Sequence, residues 1–143
     1  MALNRNSVFA HGMKGGILVW LGQPGEGRDE LFISLRLNPR DPNSPLAGSM
    51  IIASYHIERD YAATVKAARR NLANYPAMSG SRRFLVAALA QLGQLEEAAA
   101  ELRDWTAAAP DVVNALVRNR LPFIPLEEHE HLLDGLRKAG WQG

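Results

Sequence analysis

A chain of 143 residues and 15.7 kDa has room for one domain of ordinary size. Its 47% hydrophobic and 22% charged residues are those of a folded protein, and a formal net charge of +1 gives no general pull toward nucleic acid or an anionic membrane. The lack of cysteine excludes disulfides, thiolate chemistry and Cys-ligated zinc and fits a cytoplasmic location, and no stretch approaches the ~20 apolar residues of a membrane helix.

The first six residues hold a single arginine and lead into a His-Gly segment rather than a long apolar run, so no signal peptide is expected. ALNRNS has the composition of a helix end and turn, which suggests that the natural chain begins upstream. A first helix is expected at about residues 10–21, weakened by Gly12, Gly15 and Gly16 at roughly 1 kcal/mol each relative to alanine. QPGEG then turns the chain into a second helix at about 27–37, closed by Pro39. After the loop RDPNSP come helices at about 46–57 and 61–74, joined by ERD and closed by Pro76. The clearest pair follows. Leu85, Ala88, Leu89 and Leu92 recur at helical spacing over about 81–92, Gly93 supplies a left-handed C-cap, and Leu95, Ala98, Ala99, Leu102, Trp105 and Thr106 stripe the helix at about 95–108. Pro110 stops it.

Pro39, Pro76 and Pro110 each follow a helical segment, and the second interval is 34 residues, a helix–turn–helix repeat period. Three units result, at about 8–39, 45–76 and 79–110, within a single domain 1–143. The residues beyond, 111–143, are expected to form a cap: a short helix at about 112–119, an extended LPFIP plug whose Phe123 and Ile124 pack on the last pair, and an amphipathic helix at about 126–139. In that last helix Leu132, Leu133 and Leu136 point inward and Gly140 is the stop. Stacked repeats need an atypical last element to cover the exposed end.

LVWLGQPGEGRDELFISLRLNPRDP, HIERDYAATVKAARRNLANYP and RRFLVAALAQLGQLEEAAAELRDWTAAAPD resemble successive tetratricopeptide repeats. PFIPLEEHEHLLDGLRKAGW resembles the closing segment of the repeat region found in bacterial proteins that carry a class III adenylate/guanylate cyclase domain. The resemblance implies an all-α, right-handed α-α superhelix of about three repeats with a C-terminal capping helix. It also implies a bacterial signalling context, in which the chain serves as a regulatory or dimerising region of a larger protein. Leu85, Leu89, Gly93, Ala98, Leu102 and Pro110 match the repeat pattern. Gly27, Ile52 and Arg59 depart from it, standing where alanine, a small residue and a turn glycine are usual. Nothing supplies the cyclase's own metal-binding aspartates.

The sequence holds no recognisable catalytic constellation. In Glu127–His131 the HEHLL string misses HExxH because Leu133 stands where the second histidine is needed. A solvated charged face is expected there, with a weak Glu127–His131 pair, and a small metal-dependent enzyme built on this His/Glu-rich helix is the alternative. His11 has no evident partner. The glycines of the first unit lack P-loop spacing, and Arg69-Arg70 with Arg82-Arg83 lack the aromatic interleaving of a nucleic-acid surface, so a nucleic-acid adaptor is a distant third. The sequence therefore points to a non-catalytic protein-interaction or scaffold module without cofactor or metal. Its partner would be another protein or peptide, an upstream domain or a second copy, with neither nucleic acid nor membrane involved. By register, its concave surface comprises Phe9, Gly12, Gly16, Leu46 and Ala90 together with the candidate binding residues Val19, Trp20, Ser49, Ala53, His56, Ile57, Arg83, Ala87 and Gln91.

Overall fold

The computed structural model describes residues 5–143. Among the described residues there are eight α-helices and no strand. They are α1 (Arg5–Trp20), α2 (Pro24–Leu37), α3 (Ser44–Ile57), α4 (Tyr61–Asn74), α5 (Ser79–Gln91), α6 (Leu95–Ala108), α7 (Pro110–Arg118) and α8 (Leu126–Lys138). Residues 1–4 of the predicted N-terminal turn lie outside the described part; from Arg5 onward that stretch belongs to α1.

Local chemistry sets these boundaries. Prolines stand in the first turns of α2, α3 and α7, where a missing N–H removes no intrahelical bond. Asp60 caps α4, its carboxylate accepting from the Ala63 N–H at 3.1 Å. The turns inside the first three pairs share one backbone pattern. Gly22, Arg59 and Gly93 take positive φ (87°, 63° and 82°). The following N–H groups, of Gln23, Asp60 and Gln94, reach back to the carbonyls of Leu18, Tyr55 and Leu89, each at 3.0 Å. These turns are 37 and 34 residues apart, and the C-caps Asn38, Tyr75 and Ala109 repeat at the same offsets. The repetition expected from the prolines is thus also a repetition of backbone conformation.

Each pair packs on itself and on the next, and α1, α3 and α5 also lie side by side as a shared layer. Glycine makes the first pair especially close. A Cβ on Gly15 would stand 2.6 Å from Leu31 and 2.8 Å from the Gly27 carbonyl, and one on Gly27 2.6 Å from the Gly15 carbonyl. Gly15 and Gly27 therefore let α1 and α2 meet backbone to backbone, so their helix-propensity cost is offset by packing. The main core runs through all three pairs, from Val19 and Leu31 through Ile52 and Ala68 to Leu89, Ala98 and Trp105.

The C-terminal segment departs from the expected end cap. α7 packs on α6, but α8 turns back onto α5, placing Leu132, Leu133, Leu136 and Ala139 in the core. The LPFIP plug splits its two hydrophobes. Ile124 is buried as expected, whereas Phe123 reaches the first pair rather than the last, its ring 6.2 Å from that of Trp20. Leu92 and Leu95, expected in apolar stripes, flank the turn and are exposed.

Candidate protein-interaction groove

The shared layer of α1, α3 and α5 presents two different inner surfaces. Over α5 the surface is filled by α8. Gly135 sits against Ala87 so closely that a Cβ would come within 2.7 Å of the alanine methyl, and Ala87 and Leu136 are fully buried. At the edge, Gln91 Nε2 donates to Asp134 (3.0 Å) and Lys138 Nζ donates to Gln91 Oε1 (2.9 Å).

Where α8 passes α3 the contact becomes polar. The rings of His56 and His131 stack with centroids 4.3 Å apart, and the Tyr61 hydroxyl lies 2.8 Å from His131 Nε2. Arg59 occupies a left-handed turn position that glycine adopts more easily, and from there its guanidinium donates to Glu128 of α8 at 2.9 Å. Burial, reinforced by the neighbouring His131, pushes the His56 pKa down to about 3. Burial, reinforced by Arg59, pushes that of His131 down to about 4. Both rings are therefore neutral at pH 7 and serve as packing groups.

Over α1 and the start of α3 the same layer is open. Phe9, Met13, Ile17 and Leu46 are 50–62% exposed, and together with Met50 and the plug residue Phe123 they border a groove of about 750 Å³. Asn38, Asn43 and Asp41 also line it, Asp41 being the charged residue among the described lining. Phe9, Met13 and Ile17 follow one another at four-residue spacing, so their side chains form a continuous ridge. Contiguous exposed apolar surface of this kind marks interaction sites.

The expected binding residues divide between these regions. Val19, Ala53 and Ala87 are buried between helices, and Ser49 and His56 are buried as well, so these five offer no free surface. Trp20, Ile57, Arg83 and Gln91 are half-buried. The physical reasons differ: α8 covers His56, Ala87 and Gln91 and the plug meets Trp20, whereas Val19 packs against Gly27 of α2 and Ser49 against Gly80 of α5. Of the other residues expected on the concave surface, Phe9, Gly12, Gly16 and Leu46 do line the open groove, whereas Ala90 is buried.

The expected solvated face of Glu127–His131 holds for Glu127 and Glu130, which are exposed, and fails for the other three. His129 is buried and Glu128 and His131 are half-buried. His131 meets Tyr61 and His56 rather than Glu127. His11 has a partner after all: its Nδ1 lies 2.5 Å from Glu30, which also holds Lys14 at 2.8 Å. The two hydrogen bonds hold the Glu30 carboxyl below its usual range.

Met13, Ile17, Met50 and Phe123 were missed as groove residues, and Tyr61 as the partner of His131. A signal existed for α1, because Phe9, Met13 and Ile17 form a second apolar stripe beside Val8, Gly15 and Val19. No helix of the described residues is long and apolar enough to cross a membrane. No protein-family model, curated protein or solved structure matches the chain significantly.

Proposed function

We propose that the chain is a tetratricopeptide-type helical-repeat module that binds another protein, gripping an amphipathic helix in the open half of its inner face. The repeated turns, the 34-residue period and the side-by-side packing of α1, α3 and α5 support a right-handed repeat stack. The observation that carries the binding reading is the apolar groove itself: four large side chains, each half exposed or more, border a volume of about 750 Å³. The molecule also displays the kind of occupant that suits such a surface. On the adjoining part of the layer it seats its own amphipathic α8, with leucines inward and a glycine at the closest approach. A matching partner helix would present large apolar residues at i, i+3 or i+4, and i+7, with a basic residue toward Asp41.

In this reading the chain is a non-catalytic regulatory or scaffold element of a signalling assembly, and a second copy is one candidate partner. Display of a helical peptide library against the purified chain tests it. Amphipathic sequences with that spacing should be enriched and should lose binding to an Ile17→Asp, Leu46→Asp double variant. Absence of enrichment, or binding indifferent to the two substitutions, contradicts the proposal.

A further inference from the structure

A second, smaller cavity lies where α1, α3, α5, the segment after α7 and α8 converge. It encloses about 20 Å³, room for one water-sized occupant. Trp20, His56, Arg83, Asn119, Glu128 and His129 supply its polar lining. Among the described residues, five buried side-chain nitrogens lack a hydrogen-bond partner, and three of them are carried by residues that line this cavity: Trp20 Nε1, His56 Nε2 and Arg83 Nε. His56 is 1% exposed. Buried polar atoms ordinarily find partners, so three orphans around one small space need a common explanation.

The chemistry of the lining selects the occupant. Trp20 Nε1 and Arg83 Nε can only donate, and the asparagine amide and the histidine rings can donate as well. The one carboxylate, Glu128, is already engaged by Arg59 at 2.9 Å. With that pair neutralised, Arg83 stands as the uncompensated charge. Its guanidinium is placed over the Phe84 ring, 4.9 Å from the centroid. At His129 the negative charge of Glu130 is opposed by the positive charges of Arg120, whose guanidinium donates to the Ile124 carbonyl at 2.6 Å, and of Arg83.

We propose that this cavity is a binding site for a single monatomic anion of chloride size, held by Arg83 Nε–H and Trp20 Nε1–H against His56. The site would be a fastener as well as a ligand site. Its lining comes from three helices of the shared layer and from the two segments that fold back over them, so occupancy favours the closed arrangement of α8 and the plug. An anion beside Arg83 would also give its buried, unpartnered Nε–H an acceptor. This inference is independent of what fills the apolar groove, because only Trp20 is shared between the two linings.

The test uses the whole chain. Thermal unfolding in sodium chloride, sodium bromide and sodium gluconate at matched ionic strength should show a saturable rise of the midpoint with either halide, roughly 3–5 °C at ten times the dissociation constant. Gluconate, too large for the cavity, should give none. Crystals grown in bromide should show an anomalous peak between Arg83 and Trp20. Arg83→Gln should abolish the halide-specific rise, and Arg83→Lys should weaken it. If Arg83→Gln fails to fold, the bromide peak in the unsubstituted protein still decides. Equal midpoints in all three salts, or crystal density there explained by water alone without anomalous signal, overturns the proposal.

Discussion

Helices α1 and α5 hold equivalent places in their pairs, yet their surroundings differ. Seven consecutive residues of α5, from Phe84 to Ala90, are buried, whereas α1 buries Val8, Gly15 and Val19 and leaves Phe9, Met13 and Ile17 exposed. Both helices carry apolar residues on more than one face, and such a helix belongs in an interior. α5 is interior because α8 covers the face its own pair leaves open. α1 has no such cover among the described residues, and its second apolar face borders the groove. The same surface is thus completed from within at one end and left open at the other.

The largest expected effect lies in the covered half. Leu136→Ala removes a fully buried side chain that joins α8 to the core and should cost about 3 kcal/mol in urea unfolding. Ile17→Ser on the open face should stay within ~0.5 kcal/mol of the unsubstituted protein. Equal losses would erase the distinction between the two halves.

Paired glycine substitutions sharpen it. Gly135→Ala drives a methyl group into Ala87, including its backbone atoms at 2.9 and 3.0 Å, and should destabilise by about 2 kcal/mol. Gly16→Ala meets nothing within 4 Å and should stabilise by up to ~1 kcal/mol through helix propensity. Because Gly16 lines the groove, that same methyl should weaken binding of a docked helix. Urea midpoints and peptide affinity measured on the same samples check both halves of this statement.

Acid should act on the covered half first. The pKa values of His56 and His131 are depressed in the folded chain, to about 3 and about 4, so the unfolded chain takes up protons below pH ~6.5 that the folded chain refuses. Stability should be level above pH 7 and fall between pH 6.5 and 5, with a slope approaching ~1.4 kcal/mol per pH unit for each ring. The depressed carboxyls of Glu30 and Asp134 lose their contribution below about pH 4.5, outside this window. Urea midpoints that stay level down to pH 5 would show that the stacked histidines are not buried in solution.

The smallest effect concerns the turn that faces α8. Arg59→Gly relieves a left-handed side-chain conformation worth about 1 kcal/mol but removes the hydrogen bond to Glu128. The two contributions nearly cancel, so the urea midpoint should move little, while amide hydrogen exchange in α8 should quicken.

The helices were legible because their signals are local. Prolines stop α2, α4 and α6 or open the helix that follows, Gly93 and its counterparts turn the pairs, and the predicted spans of α4 and α6 coincide with the observed ones. The destination of α8 was not legible, because no local rule says which surface an amphipathic helix covers. One clue was available in FLVAALA. A run without a polar residue on any side implies cover on every side, and reading only its Leu85–Leu89 stripe left Ala87 and Ala90 to be taken as free surface. The EEHEH string misled in the opposite direction. Charge suggested water, but His129 and His131 enter the contact as neutral rings and Glu128 enters it paired to Arg59. The candidate site was legible where α1 showed excess apolar residues, and illegible where residues distant in sequence, such as Trp20 and Phe123, had to meet.

Because the chain has no cysteine, single introduced thiols report the two halves directly. Ile17→Cys on the open ridge and Ala139→Cys in the cover are measured with the same alkylating reagent under native conditions. The thiol at position 17 should react as fast as one in an unfolded peptide, and the thiol at position 139 at least ~100-fold more slowly, as expected for a site reached only by local unfolding. Equal fast rates would mean that α8 does not stay on α5. A protected thiol at position 17 in the monomer would mean that the groove is filled by the chain itself. Either result contradicts an inner face closed at one end and open at the other.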